Sequence, residues 1–174
     1  MRLTLSTLST PIGTALIVTD DAGMLRALDF EDYRPRMDRL LRRHYGTVNL
    51  ADGAVPAPVA GALHAYFDGD LTAPDTLSTA TNGTLFQTRV WAELRRLRPG
   101  EAVSYGTMSA RIGQPTAVRA MGLANGANPI AIVVPCHRVI GADGSLTGYG
   151  GGLFRKEWLL RHEGARWLHP SGRP

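Results

Sequence analysis

The chain has 174 residues, 44% hydrophobic and 20% charged, which excludes a wholly disordered protein. Its longest clean apolar run, residues 130–135, falls far short of the ~20 residues that span a bilayer, and Ser and Thr interrupt the apolar residues after Arg2, a poor secretory signal. The net charge of +4 is unevenly placed: residues 1–83 hold 7 Arg against 10 acidic residues, and residues 84–174 hold 11 Arg and one Lys against 5.

In chain order, residues 3–5, 14–18 and 25–29 are short β-compatible stretches, with turn chemistry between them in Pro11-Ile12-Gly13 and Asp20-Asp21-Ala22-Gly23. Residues 36–44 are predicted to form a helix with a charged face, and residues 59–67 a second helix stopped by Asp68-Gly69-Asp70. Nothing in this half reads as catalytic; His44 and His64 are expected at the surface or half-buried. The polar stretch 73–82 is expected to be a linker, and the charge balance changes sign there. Beyond it, Phe86, Val90, Leu94 and Leu97 fall at helical spacing, and Pro99-Gly100 stops that helix. Residues 105–112 are predicted as a short helix with Ser104 as N-cap. Gly113-Gln114 is then a tight turn, and Pro115 opens a helix reaching about Asn125-Gly126. Helix, turn, helix is a DNA-binding pattern shared by many plain helical corners.

The second helix of that pair is rich in small residues: Ala117, Ala120, Gly122, Ala124 and Gly126. Small residues permit close helix packing. They also make a helix slim enough for the DNA minor groove, about 6 Å wide. Arg119 is the one long cationic side chain there, suited to a phosphate or to wedging into a base stack. The basic second half points the same way, to a polyanionic partner.

Cys136 is the only cysteine, so an internal disulfide is excluded, as is a zinc site needing two or more thiolates. It follows five apolar residues, 130–134, which are expected to form a strand or extended segment buried on both sides. A Cys in that position is more often core than nucleophile, but His137 and Arg138 beside it narrow that margin. A thiol near pKa 8.5 needs a basic partner or a positive environment to become a thiolate. On a strand, Cys136 and His137 would point to opposite faces, so a dyad requires a backbone turn at Pro135 or a bridging water.

Asn128-Pro129, five apolar residues and Pro135-Cys136-His137-Arg138-Val139 closely resemble the active-site signature of the methylated-DNA–protein-cysteine methyltransferases, the O6-alkylguanine-DNA alkyltransferases. Ordered matches surround it: Phe86-Gln87, Val90-Trp91, Ser104-Tyr105-Gly106, Val118-Arg119-Ala120, Thr147-Gly148-Tyr149-Gly150, Lys156-Glu157-Trp158 and His162-Glu163-Gly164. The resemblance is dense over residues 84–165 and looser in the first half.

The resemblance implies an α/β (α+β) fold, with a small sheet-plus-helix support domain over residues 1–80. A mostly helical DNA-binding and alkyl-acceptor domain with the helix-turn-helix and the cysteine would cover residues 84–170. It implies irreversible, single-turnover transfer of an alkyl group from O6 of guanine in duplex DNA to Cys136. His137, Glu163 and a water would take the thiol proton, Tyr105 would help turn the nucleotide out and protonate the leaving guanine, and Asn128 would hold the recognition helix to the Cys segment. Arg119 matches the arginine finger, with Ala120 and Gly122 on the same DNA-facing helix. Val139, Tyr149, Gly150 and Lys156 match the base pocket, with backbone groups at Cys136 and Val139 reading the guanine edge. Some family members carry a hydroxyl residue where this chain has Gly150, whose backbone N–H is the available substitute. No cofactor and no metal are expected, zinc included. The expected partner is double-stranded DNA carrying O6-alkylguanine, with no membrane; the expected location is cytoplasmic and the expected form a monomer, clustering along DNA being a further option. Competing readings are a lesion binder of the same fold, which would lack Cys136, a helix-turn-helix transcription factor with an inert cysteine, and a cysteine hydrolase. Residues 167–174 read as a flexible tail.

Overall fold

Alternating apolar residues at the start of the chain build a hairpin. In the computed structural model, which describes residues 1–167, β1 (Arg2–Thr10) and β2 (Gly13–Asp20) pair antiparallel across a two-residue turn. Gly13 takes φ 118°, and Thr10 Oγ1 donates to the Gly13 carbonyl at 2.6 Å. Asp20 closes the next turn: its Oδ1 accepts the Ala22 and Met24 amides, both at 3.0 Å, and its Oδ2 pairs with Arg26 at 2.6 Å. The chain then forms β3 (Leu25–Phe30), α1 (Arg34–Tyr45), β4 (Asn49–Asp52) and α2 (Ala57–Phe67). The sheet order is β3-β2-β1-β4, with β4 parallel to β1. Both helices bury residues at i, i+3, i+4 and i+7: Met37, Leu40, Leu41 and His44 on α1, Val59, Ala62, Leu63 and Tyr66 on α2. Met37 and Leu41 close over Leu3, Leu5, Leu16, Val18 and Ala27 of the sheet.

The mixed α/β class is as expected, and the expected elements differ in instructive ways. The stretch 73–82 is not a free linker. Its residues Ala73–Thr76 form a 3-10 turn, Leu77 is buried, and the Leu25 amide donates to Ser78 O at 3.0 Å while the Ala80 amide donates to Leu25 O at 2.9 Å. Asn82 exchanges hydrogen bonds with His44, which is buried rather than at the surface. This short segment covers part of the outer edge of β3. β4 carries no apolar alternation and was not expected.

The polypeptide divides into two units, Met1–Gly83 with Pro129–Val133, and Thr84–Asn128 with Val134–Pro174. The segment Pro129–Val133 pairs with β3 of the first unit: the Leu28 amide donates to Pro129 O at 3.0 Å and the Ala131 amide to Leu28 O at 2.9 Å. It is buried as expected, but it is not a strand. Ile132 has φ 67°, and the Val133 amide donates to Ala131 O at 2.8 Å, a γ-turn of the strained hand. A buried segment without a full ladder must satisfy its amides locally, and the tight turn does so.

In the second unit, α3 (Leu85–Leu94) opens on a capping box between Thr84 and Gln87. It ends before the expected Leu97, whose amide closes a tighter turn on Leu94 O at 3.0 Å. β5 (Val103–Ser104) pairs with β6 (Val139–Ile140), and α4 (Tyr105–Arg111) starts at its expected Ser104 cap. The following helix, α5 (Val118–Gly126), begins three residues later than Pro115: Gln114 O accepts the Ala117 amide at 2.9 Å, so Pro115 and Thr116 belong to the turn. Trp91 Nε1 donates to Ala124 O at 2.9 Å and ties α3 to α5. The last helix is α6 (Leu153–His162). Trp167 packs against Ile140, Leu160 and Ala165 instead of opening a tail, and residues 168–174 of the expected tail lie outside the described residues. Among the described residues no helix is long and apolar enough to cross a membrane.

Candidate active site

The turn at Pro135 answers the geometric problem of neighbouring Cys and His. Pro135 sits at φ −81°, ψ 64°, and the Cys136 amide donates to Val134 O at 2.8 Å, an inverse γ-turn. Cys136–Arg138 then form a 3-10 turn, in which successive side chains step about 120° around the axis. Strand alternation no longer separates Cys136 from His137.

Cys136 is 4% exposed. Asn128, at the end of the α5 corner, donates from Nδ2 to Cys136 Sγ at 3.0 Å and to Val134 O at 2.7 Å, which fixes the sulfur and the turn together. Its hydrogen bond to sulfur favours the thiolate, the better acceptor.

His137 is fully buried and its Nε2 meets Glu163 Oε1 at 2.8 Å. Arg138 grips the same carboxylate with Nε on Oε2 and Nη2 on Oε1, both at 2.9 Å, and places Nη1 on Leu97 O at 2.6 Å. Burial works to raise the Glu163 carboxyl, but His137 and Arg138 outweigh it and hold it well below the usual carboxylate range. Burial lowers the imidazole below its ordinary value, against the pull of Glu163. The pair is therefore neutral His beside ionised Glu. A carboxylate only accepts, so Nε2 carries the proton and Nδ1 is left as a basic lone pair. Nδ1 is buried, with no hydrogen-bond partner among the described residues.

Lys156, the only lysine, is buried, with Nζ on Val139 O at 2.5 Å and on Thr147 O at 3.0 Å. Burial pushes it down to about 8, partly offset by the Cys136 charge. While protonated it adds positive potential at the sulfur. It also anchors Val139 to the loop carrying Tyr149 and Gly150.

A cleft of about 640 Å3 lies in this unit, with Tyr105, Arg119, Gly122, Leu123 and Asn125 on the α4–α5 side and residues 147–150 on the loop side. Tyr105 Oη accepts from Thr147 Oγ1 at 2.9 Å, and its ring lies across Gly122. Arg119 and Ala120 are exposed on α5; Ala120 is not part of the cleft lining. The structure thus gathers Cys136, His137, Glu163 and Asn128 in one buried array, with Tyr105, Arg119, Gly122, Tyr149 and Gly150 around the cleft. Two residues had no such place in the sequence reading. Arg138 counted only as nearby positive charge, yet it makes a two-pronged ion pair with Glu163. Asn125 stood only as a helix end, yet its Nδ2 donates to the Cys136 carbonyl at 3.3 Å. The signal for Asn125 was a second amide one helical turn before Asn128. Among the described residues no three His, Cys, Asp or Glu side chains converge as metal ligands do.

Residues 85–165 match the family described as 6-O-methylguanine DNA methyltransferase, DNA binding domain. The fold is similar to that of a Mycobacterium tuberculosis OGT crystallised in complex with DNA, at a TM-score of 0.79 and 42% identity over 92% of each chain. The O6-methylguanine-DNA methyltransferase of Pyrococcus kodakaraensis, 20% identical, shares the fold at a TM-score of 0.68 over 94% of this chain and 99% of its own. A methylated-DNA–protein-cysteine methyltransferase of Salmonella typhimurium is 50% identical over 166 residues, 94% of this chain and 97% of the relative. With half of its residues shared along nearly the full length of both sequences, the chain belongs to the methylated-DNA–protein-cysteine methyltransferases.

Proposed function

We propose that the protein repairs O6-alkylguanine in duplex DNA by moving the alkyl group irreversibly onto Cys136. The observation that carries this reading is the buried array in which Asn128 holds the sulfur and Glu163, itself gripped by Arg138, fixes the His137 imidazole. The target base is buried in the stack, so it must first be flipped out, at a few kcal/mol. Arg119, exposed on the slim helix α5, fills the vacated space, and Ala120 and Gly122 let that helix lie close to the groove. The base enters the cleft between Tyr105 and the loop of Tyr149 and Gly150, with Val139 and the Cys136 backbone at its edge.

In the chemical step the thiol proton passes through a bridging water to Nδ1 of His137. The sulfur lone pair attacks the alkyl carbon, the C–O6 bond breaks, and its electrons go to the guanine. Tyr105 donates a proton to the departing base and regains one from solvent. Glu163 stays ionised and stabilises the imidazolium. Lys156 supports the thiolate before attack and keeps the pocket loop in place. The product is a thioether, so each molecule acts once. A DNA substrate goes with a cytoplasmic site of action.

Intact-protein mass after incubation with duplex bearing O6-methylguanine tests the reading. The expected shift is one methylene mass, mapped to Cys136 and absent in Cys136→Ser. An unshifted protein in stoichiometric excess over a surviving lesion would overturn it.

A further inference from the structure

Helix α6 carries two cations side by side near its start, and both are buried: Arg155 is 8% exposed and Lys156 0%. Cations buried this far must be engaged, because a charge taken out of water is costly. These two spend donors on the backbone of a single loop. Lys156 Nζ holds the Thr147 carbonyl at 3.0 Å, and Arg155 Nη1 holds the Gly151 carbonyl at 2.8 Å. The reaction above uses Lys156 and gives Arg155 no part.

Residues 147–150 of that loop line the cleft. Four of the six residues 147–152 are glycines, so this wall has few side chains to pack and a backbone with wide freedom. It forms neither strand nor helix, and the bond from the Gly152 amide to Tyr149 O at 3.0 Å closes a turn within the loop itself. At its first residue the loop is held by Lys156 and by the Thr147 hydroxyl on Tyr105; at its far end Arg155 holds it. Resting on the alkyl-transfer reading, we propose that Arg155 is a positioning residue for transfer: by gripping Gly151 from α6 it keeps the Tyr149–Gly150 wall in place and gives the cleft one width. An apolar side chain of similar length would fill the space beside the loop and hold no carbonyl. Lys156 also holds Val139, next to the cysteine turn, so a change there would disturb sulfur and wall together; the Arg155 bond falls on the wall.

Transfer of a small group needs a close fit, since a displacement of about 1 Å can cost about a hundredfold in rate. A bulky group needs room, which a retreating wall provides. Loss of the Arg155 bond should therefore slow methyl transfer more than benzyl transfer, whereas a general weakening of the fold slows both alike. The test uses duplexes bearing O6-methylguanine or O6-benzylguanine, with transfer followed by intact mass, and hydrogen exchange of the peptide covering residues 147–152. Arg155→Met keeps length and helix propensity but removes the donor. The benzyl-to-methyl rate ratio is expected to rise several-fold over the wild type, and exchange in 147–152 to quicken while exchange in α5 stays as it was. An unchanged ratio, or an unchanged exchange rate in the loop, overturns the proposal. Should Arg155→Met fail to fold, Arg155→Gln, whose amide is too short to reach Gly151, carries the same two expectations. Absence of transfer from both duplexes by the wild type would instead defeat the alkyl-transfer reading.

Discussion

At the scale of single residues, one carboxylate holds a guanidinium and an imidazole together, and the magnitudes say what its loss does. Glu163→Gln leaves the Arg138 guanidinium buried without a counter-charge, a loss of about 3–5 kcal/mol, against about 0–1 kcal/mol for an exposed pair such as Arg161 with Glu157. The direction of the pH dependence follows from the same array. The folded His137 and the folded Glu163 both bind protons less readily than they do in the unfolded chain, from ordinary values of 6.5 and 4.5. Below those values the unfolded state holds more protons, so the contribution of these two groups is full above about pH 6.5 and falls as the solution is acidified, first through His137 and then through Glu163. Denaturant titrations at stepped pH should show that decline. His137→Gln, which can still donate to Glu163, should delay its onset toward pH 4.5. An identical decline between pH 6.5 and 5 in wild type and variant would contradict the assignment. Cys136, His137, Asn128 and Glu163 were brought together by the family resemblance, whose motifs are ordered along the chain; taken alone, Glu163 reads as a solvated helix end. Arg138 was not, since its partners lie 25 and 41 residues away at Glu163 and Leu97, and a single sequence gives a charge no address.

At the scale of elements, α5 shows how a slim helix serves two neighbours. A Cβ on Gly122 would meet the Tyr105 ring at 3.8 and 3.9 Å, ordinary contact, so Gly122→Ala fits and should stabilise the helix by about 0.5–1 kcal/mol. Gly122→Leu must push the ring, and with it the hydroxyl bonded to Thr147. Misplacing a reacting group by about 1 Å can cost about a hundredfold in rate, so Gly122→Leu is expected to transfer at least tenfold more slowly than Gly122→Ala. Equal rates in these two variants would mean that the Tyr105 position does not matter to transfer. Elements of this kind were legible where periodicity and caps agreed: α1 and α2 repeat at helical spacing, and Ser104 starts α4. Others were hidden for physical reasons. β4 is an exposed four-residue edge held by its partner β1, not by apolar alternation. Residues 130–134 are apolar throughout, and that pattern reports burial without choosing between a strand and a run of tight turns.

At the scale of the whole molecule, the family match over residues 85–165 suggests a module able to stand alone, and the course of the chain argues otherwise. Pro129–Val133 belongs to the first unit, where residues 129 and 131 bond to Leu28 of β3. Nothing in the sequence marks this, because an apolar run announces that it is covered and not by what. The same five residues join Asn128 to Val134, and the Asn128 hydrogen bond to Val134 O closes them into a loop that ends one residue short of the Pro135–Cys136 turn. A fragment of residues 84–174 keeps that bond but loses β3, stranding the Ala131 amide and the Pro129 carbonyl. It also uncovers Ile130, Ile132 and Val133, each now at most 3% exposed. At about 1.5–3 kcal/mol per such side chain, the loss is a large share of the 5–15 kcal/mol that holds a domain together. The fragment should therefore unfold at a lower urea concentration than the full chain, bind a hydrophobic dye, and gain the methylene mass from O6-methylguanine duplex more slowly, because the loop that positions Asn128 against Cys136 is no longer supported. A fragment with the midpoint and transfer rate of the full chain would show that the Asn128 clamp suffices and that β3 contributes nothing to the sulfur site.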